Sequence, residues 1–114
     1  MKRKEIEEIV TGIKGCYYFL SLEELIEAIG ISLKVVPSES SALNGSPACY
    51  IKVDDKEMIF LSDACPQELQ AKVLAHELGH AILHDVEMAH YSFLFKGRKL
   101  EEEADYFAEL LMDF

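Results

Sequence analysis

The segment from Pro66 to His84 constrains this chain more than any other. Proline suits the first turn of a helix, and the residues after it carry apolar side chains around the whole circumference. Counting roughly 100° per residue, Ala71, Leu74, Ala75, Leu78, Ala81 and Ile82 gather on one side. Leu69, Val73 and Leu83 lie on the other, together with His76 and His80. A helix that is apolar on both faces must be sandwiched, so the rest of the chain has to cover it from two sides.

The remaining elements supply those covers. Lys4 to Ile13 and Ser21 to Ile29 have apolar residues at helical spacing. In the second, Leu22, Leu25, Ile26 and Ile29 share a face, Ser21 is an N-cap with Glu24 three residues on, and Gly30 ends the helix. Ile31 to Val36 is a β-branched strand stopped by Pro37, and the Ser/Asn/Gly-rich stretch from Ser38 to Pro47 is a loop. Tyr50 to Val53 and Met58 to Ser62 form a hairpin around Asp54-Asp55-Lys56-Glu57, although its turn lacks Asn-Gly or Asp-Gly. A final helix runs from about Arg98 to Asp113. Helices, a small sheet and two more helices make an α+β fold, and 114 residues fit one domain, 1–114.

Charge and cysteine content narrow the function. Eleven Lys+Arg against 21 Asp+Glu give a net charge of −10, which repels phosphate backbones and argues against nucleic acid as a partner. Residues 21–33 resemble the start of a helix-turn-helix, but a β-branched run ending in proline stands where the recognition helix should be. No apolar run approaches the roughly 20 residues of a membrane span, and the N-terminus lacks the apolar stretch of a secretory signal. The three cysteines (Cys16, Cys49 and Cys65) form no CxxC pair, and their odd number cannot close a disulfide framework. A reduced, cytoplasmic protein is expected.

His76-Glu77-Leu78-Gly79-His80 is an HExxH sequence on the sandwiched helix. Residues four apart stack on one face, so both imidazoles can reach one ion. Zinc takes such nitrogens readily. Glu77, about 100° around from His76, can reach a water at the ion without being a ligand, the position of a general base. His84 is not a third ligand. Its Cα lies roughly 12 Å along the helix from that of His76, too far for two histidines in a tetrahedron. It reads as a cation near the helix C-terminus, or as a partner of a ligand. The longer HExxHxxGxxH pattern fails as well, with Leu83 and Val86 where Gly and His should be. Gly79 lies toward the metal face, where a missing side chain would let another backbone approach.

A catalytic zinc needs a third protein ligand and an open position. On the last helix Leu100, Ala104, Phe107, Leu111 and Phe114 form the apolar stripe, and Glu102 lies nearly opposite it. Glu101 and Glu103 flank the stripe on its two sides, so periodicity does not choose between them. Asp105 shares the side of Glu101 and could accept a hydrogen bond from a ligand histidine.

The runs His-Glu-Leu-Gly-His-Ala-Ile-Leu-His and Glu-Glu-Glu-Ala-Asp-Tyr-Phe-Ala-Glu-Leu-Leu-Met closely resemble the ImmA/IrrE family of metallopeptidases. The family pattern is HELGHxxLH followed by ExEA(N/D)xFAxxLLMP. The resemblance implies a small zincin-like domain: N-terminal helices, a three-stranded, mostly antiparallel sheet, and the HExxH helix packed on a C-terminal helix bearing the third ligand. It implies one Zn²⁺ per chain held by His76, His80 and Glu101, with Glu77 catalytic. It favours Glu101 over Glu103 because Glu101 stands four residues before Asp105, as in gluzincin-type ExxxD sites, and it makes Asp105 the partner of a ligand. Asp113 departs from the proline of LLMP. The helix-turn-helix that often accompanies this domain is lacking, which resembles the short phage and mobile-element members whose relatives cleave a separately encoded repressor.

The expected activity is therefore zinc-dependent hydrolysis of a peptide bond in a protein substrate, a helix-turn-helix repressor. His90 and Tyr91 are candidate donors to the oxyanion, and an extended substrate could add a strand along residues 49–53. The competing expectation is a non-catalytic anti-repressor that sequesters its partner and uses a metal only to tie two helices together. Structural sites are closed by four protein ligands, whereas only three good ones are found here.

Overall fold

A computed structural model describes residues 1–84 and 97–113. Helix α1 spans Arg3–Cys16 and α2 Leu22–Ile29, followed by strand β1, Ile31–Val36. A short 3₁₀ turn at Ser41–Leu43 leads to β2, Ala48–Val53, and β3, Lys56–Ser62. Helix α3 covers Gln67–Leu83 and α4 Gly97–Met112. His90 and Tyr91 lie outside the described residues.

The N-terminal punctuation of the chain works as its chemistry dictates. Ser21 and Glu24 form a reciprocal capping box, with Ser21 Oγ accepting from the Glu24 N–H and Glu24 from the Ser21 N–H. Gly30 then closes α2 in the left-handed region at φ 103°. Leu25 and Ile26 are buried on the apolar face of α2, as are Ile6 and Val10 on α1.

The sheet corrects the expectation of a mostly antiparallel one. Its order is β1-β3-β2, with β1 parallel to β3 and β2 antiparallel to it. The loop after Pro37 is long enough to carry the chain across, so that the returning strand β3 inserts between its two predecessors. β3 has the most buried side chains of the three, including Ile59 and Leu61, and therefore takes the centre. The β2–β3 connection pairs Val53 with Lys56, which leaves a two-residue turn at Asp54-Asp55. Both aspartates have positive φ (49° and 67°), the type I′ geometry whose twist suits a hairpin.

Helix α3 is sandwiched as its composition demands. One side packs on the sheet, and the other meets α4. Leu74, Ala75, Leu78 and Gly79 are buried along it. Phe107, fully buried, joins Leu74, Leu78 and Ile59 in a hydrophobic cluster that draws on both N-terminal helices, all three strands, α3 and α4. Helix α1 braces α4 from outside. Tyr106 donates to Glu7, Arg3 lies over the Tyr106 ring at 4.5 Å, and Lys14 reaches the Leu110 carbonyl at 3.1 Å and Asp113 at 2.8 Å. Among the described residues no helix is long and apolar enough to cross a membrane.

Candidate metal centre

The close approach of α3 and α4 sets the site. A Cβ built on Gly79 would lie 3.1 Å from the Phe107 ring and 3.2 Å from both Cα and O of Ala104. The missing side chain thus lets the backbone of α4 settle against α3, as expected for Gly79, and brings Glu101, one turn before Ala104, level with His76 and His80.

These three side chains converge. His76 Nε2 and His80 Nε2 are 3.2 Å apart, and the Glu101 carboxylate lies 2.7 Å from the first and 2.9 Å from the second. Four ligands at about 2.0–2.1 Å from a zinc ion lie roughly 3.3 Å from one another, so the nitrogen spacing suits an ion between them. The donor chemistry fits too. His76 Nδ1 is 2.7 Å from Asp105 Oδ1, an acceptor that favours the tautomer with its proton on Nδ1, in which a neutral ring offers Nε2 to an ion. Burial, the largest influence on His80, holds its pKa below the usual imidazole range, with further lowering from His76 and His84 working against the raising effect of Glu101. A neutral ring is the form that binds metal. Two bare nitrogens and a carboxylate facing one another repel unless a cation lies among them. Within the described residues, this trio is the group of His, Cys, Asp and Glu side chains placed to hold an ion.

Glu77 shares with His76 and Glu101 a cleft of about 250 Å³, whose walls include Ser46, Pro47, Ala48 and Lys72. Its Oε2 accepts a hydrogen bond of 3.0 Å from the backbone N–H of Tyr50 in the edge strand β2. Burial pushes the Glu77 carboxyl up to about 7, aided by Glu101 and opposed by His76 and by the Tyr50 N–H. A carboxyl poised there can both take and return a proton at neutral pH.

Glu103 stands apart from Glu101, and His84 follows the second of its two sequence readings, contacting a histidine of the trio. Glu103 is buried and faces away from the trio; its two oxygens meet His84 Nε2 at 2.8 Å and the Met1 ammonium at 2.6 Å. Burial tends to raise its pKa, but the hydrogen bonds from Met1 and His84 outweigh this and hold it below the ordinary glutamate value. His84 is the C-cap of α3, yet its ring does not serve the helix carbonyls. It bridges Glu103 and His80, with its Nδ1 3.0 Å from His80 Nδ1. The Tyr50 N–H had no signal in the sequence, since every residue but proline carries one.

A family model for the Peptidase_M78 domain, described as IrrE N-terminal-like, matches residues 27–113. That span holds the sheet, α3 and α4, and with them every residue of the converging site. The chain belongs to the Peptidase_M78 family. Membership in this family of metallopeptidases of the IrrE/ImmA type agrees with the resemblance carried by the HELGH and EEEAD runs. No curated protein and no solved structure matches the chain.

Proposed function

We propose that this Peptidase_M78 protein is a zinc-dependent endopeptidase, with His76, His80 and Glu101 holding the ion and Glu77 acting as general acid and base. The observation that carries the reading is the convergence of three side chains able to ligate an ion, with a half-buried glutamate at their side. When bound, zinc acidifies water toward a pKa of about 7 and polarises the scissile carbonyl. Glu77 removes the proton of the attacking water and later delivers it to the departing amine. The Tyr50 N–H holds this carboxylate over the cleft, and Asp105 orients His76 by accepting its Nδ1–H. His90 and Tyr91 remain the candidates for stabilising the oxyanion.

The substrate in this reading is a helix-turn-helix repressor of a phage or mobile element, cut at a specific site in the cytoplasm. It rests on the family resemblance. The placement of β2 supports an extended substrate, because among the described residues this strand pairs with β3 alone and reaches Glu77 on its other side. Tyr50 and Lys52 share the outward-facing parity of that strand. Lys52→Pro would remove an outward N–H at a position where an edge strand tolerates proline. We expect a folded protein whose cleavage rate falls about tenfold, the loss of one hydrogen bond to the substrate; unchanged cleavage would remove the edge from the account.

The Glu77→Gln variant tests catalysis against sequestration. Hydrolysis requires that zinc binding persist while cleavage of a candidate repressor falls by at least about 10²-fold, the scale of general-base catalysis. If the variant relieves repression as well as the parent does, the protein acts by sequestering its partner.

A further inference from the structure

We propose that His84 and Glu103 form a buried positioning relay that fixes which nitrogen of His80 is offered to the metal. The inference rests on His80 being a ligand, and it assigns to two residues outside the ligand set the task of keeping it one.

The relay is contiguous. His80 Nδ1 and His84 Nδ1 are 3.0 Å apart, and His84 Nε2 lies 2.8 Å from Glu103 Oε1. The side chains of His84 and Glu103 are only 5% and 8% exposed, so water does not readily replace either partner. A neutral imidazole carries one proton, and the position of that proton in one ring dictates its position in the next. If His80 binds a metal through Nε2, its proton is on Nδ1 and donates to His84 Nδ1. The proton of His84 must then sit on Nε2, where Glu103 accepts it.

With His84 neutral, the opposite arrangement is blocked at the far end. A proton on His84 Nδ1 would donate to His80 and drive the His80 proton onto Nε2, into the space between His76 and Glu101. It would also leave His84 Nε2 bare against a carboxylate oxygen, two acceptors in contact inside the protein. Glu103 rejects that state. Its second oxygen accepts from the Met1 ammonium, so the relay ends on an acceptor held in place by two donors. His76 has a similar support in Asp105, but there the carboxylate is 59% exposed and water can stand in for it. The buried relay is therefore the more sensitive of the two.

The test is zinc affinity, read by competition with a chromophoric chelator, for the wild type, His84→Phe, Glu103→Leu, Glu103→Gln and the His84→Phe/Glu103→Leu double variant. Circular dichroism of the metal-free proteins reports folding. The relay predicts a 10- to 100-fold loss in each apolar variant, the usual effect of removing such a support. It predicts that Glu103→Gln, which keeps an acceptor oxygen, retains more affinity than Glu103→Leu. The double variant should bind within about twofold of His84→Phe alone, because both changes interrupt one chain. Should His84→Phe not fold, the Gln-against-Leu comparison at Glu103 decides alone. Wild-type affinity in the folded apolar variants would overturn the relay, as would equal losses in Glu103→Gln and Glu103→Leu, or losses that multiply in the double variant. A wild type that binds no zinc would instead overturn the metal centre itself.

Discussion

Glu77 carries the most chemistry of any residue, and its environment makes a prediction that is independent of substrate. A carboxyl whose folded pKa is raised, here to about 7 from 4.5 chiefly by burial, favours the folded state in its neutral form. That contribution is complete below about pH 4.5 and is lost as pH rises through about 7. The metal-free protein should therefore lose on the order of 2–3 kcal/mol of stability over that window from this group. Glu103, held low, acts with the opposite sign, and its stabilisation is lost only as pH falls below the ordinary glutamate range. Urea titrations of metal-free wild type and Glu77→Gln across the window should give a flatter profile for the variant; parallel profiles would mean that Glu77 is ionised throughout. At this scale the site was largely legible. The convergence of His76 and His80, with Glu77 beside them, follows from helical spacing, whereas only the family resemblance set Glu101 apart from Glu103. That His84 meets Glu103 was not legible, because Glu103 looks like any acid near an acidic helix start until the Met1 ammonium and His84 are seen against it. Nor was the Tyr50 N–H.

Between elements, the contact of α3 with α4 at Gly79 governs the position of Glu101. Gly79→Ala would gain about 1 kcal/mol in helix propensity but would force a methyl to within 3.2 Å of the Ala104 backbone, which cannot swing away as a side chain can. We expect a net loss of about 1–2 kcal/mol, as overpacking typically costs, together with weakened zinc binding as α4 is pushed outward. A variant more stable than wild type with unaltered affinity would show that the contact has room to spare. The helices and their caps could be read from sequence because capping and periodicity are local. Sheet order could not, since nothing in Ile31–Val36 states which later strand it will pair with; that outcome follows from β3 being the most buried of the three. The Asp54-Asp55 turn adopts the conformation usually given to Asn-Gly, because a short aspartate side chain tolerates positive φ. The brace of α1 on α4 was also hidden, resting on long-range polar contacts such as Lys14 with Leu110 and Asp113.

Across the whole molecule, the layers serve one end: a sheet, a helix apolar on both faces and a second helix bring two histidines and a glutamate together, in a chain that belongs to a metallopeptidase family. The net charge of −10 suits a cation at that site better than a phosphate backbone. The measurement that tests this account most directly is the metal content of the purified protein after equilibration with zinc and dialysis, beside His80→Ala as control. One zinc per wild-type chain and none in the control are expected. A wild-type protein that folds but retains no zinc, or a control that retains as much as the wild type, would contradict it.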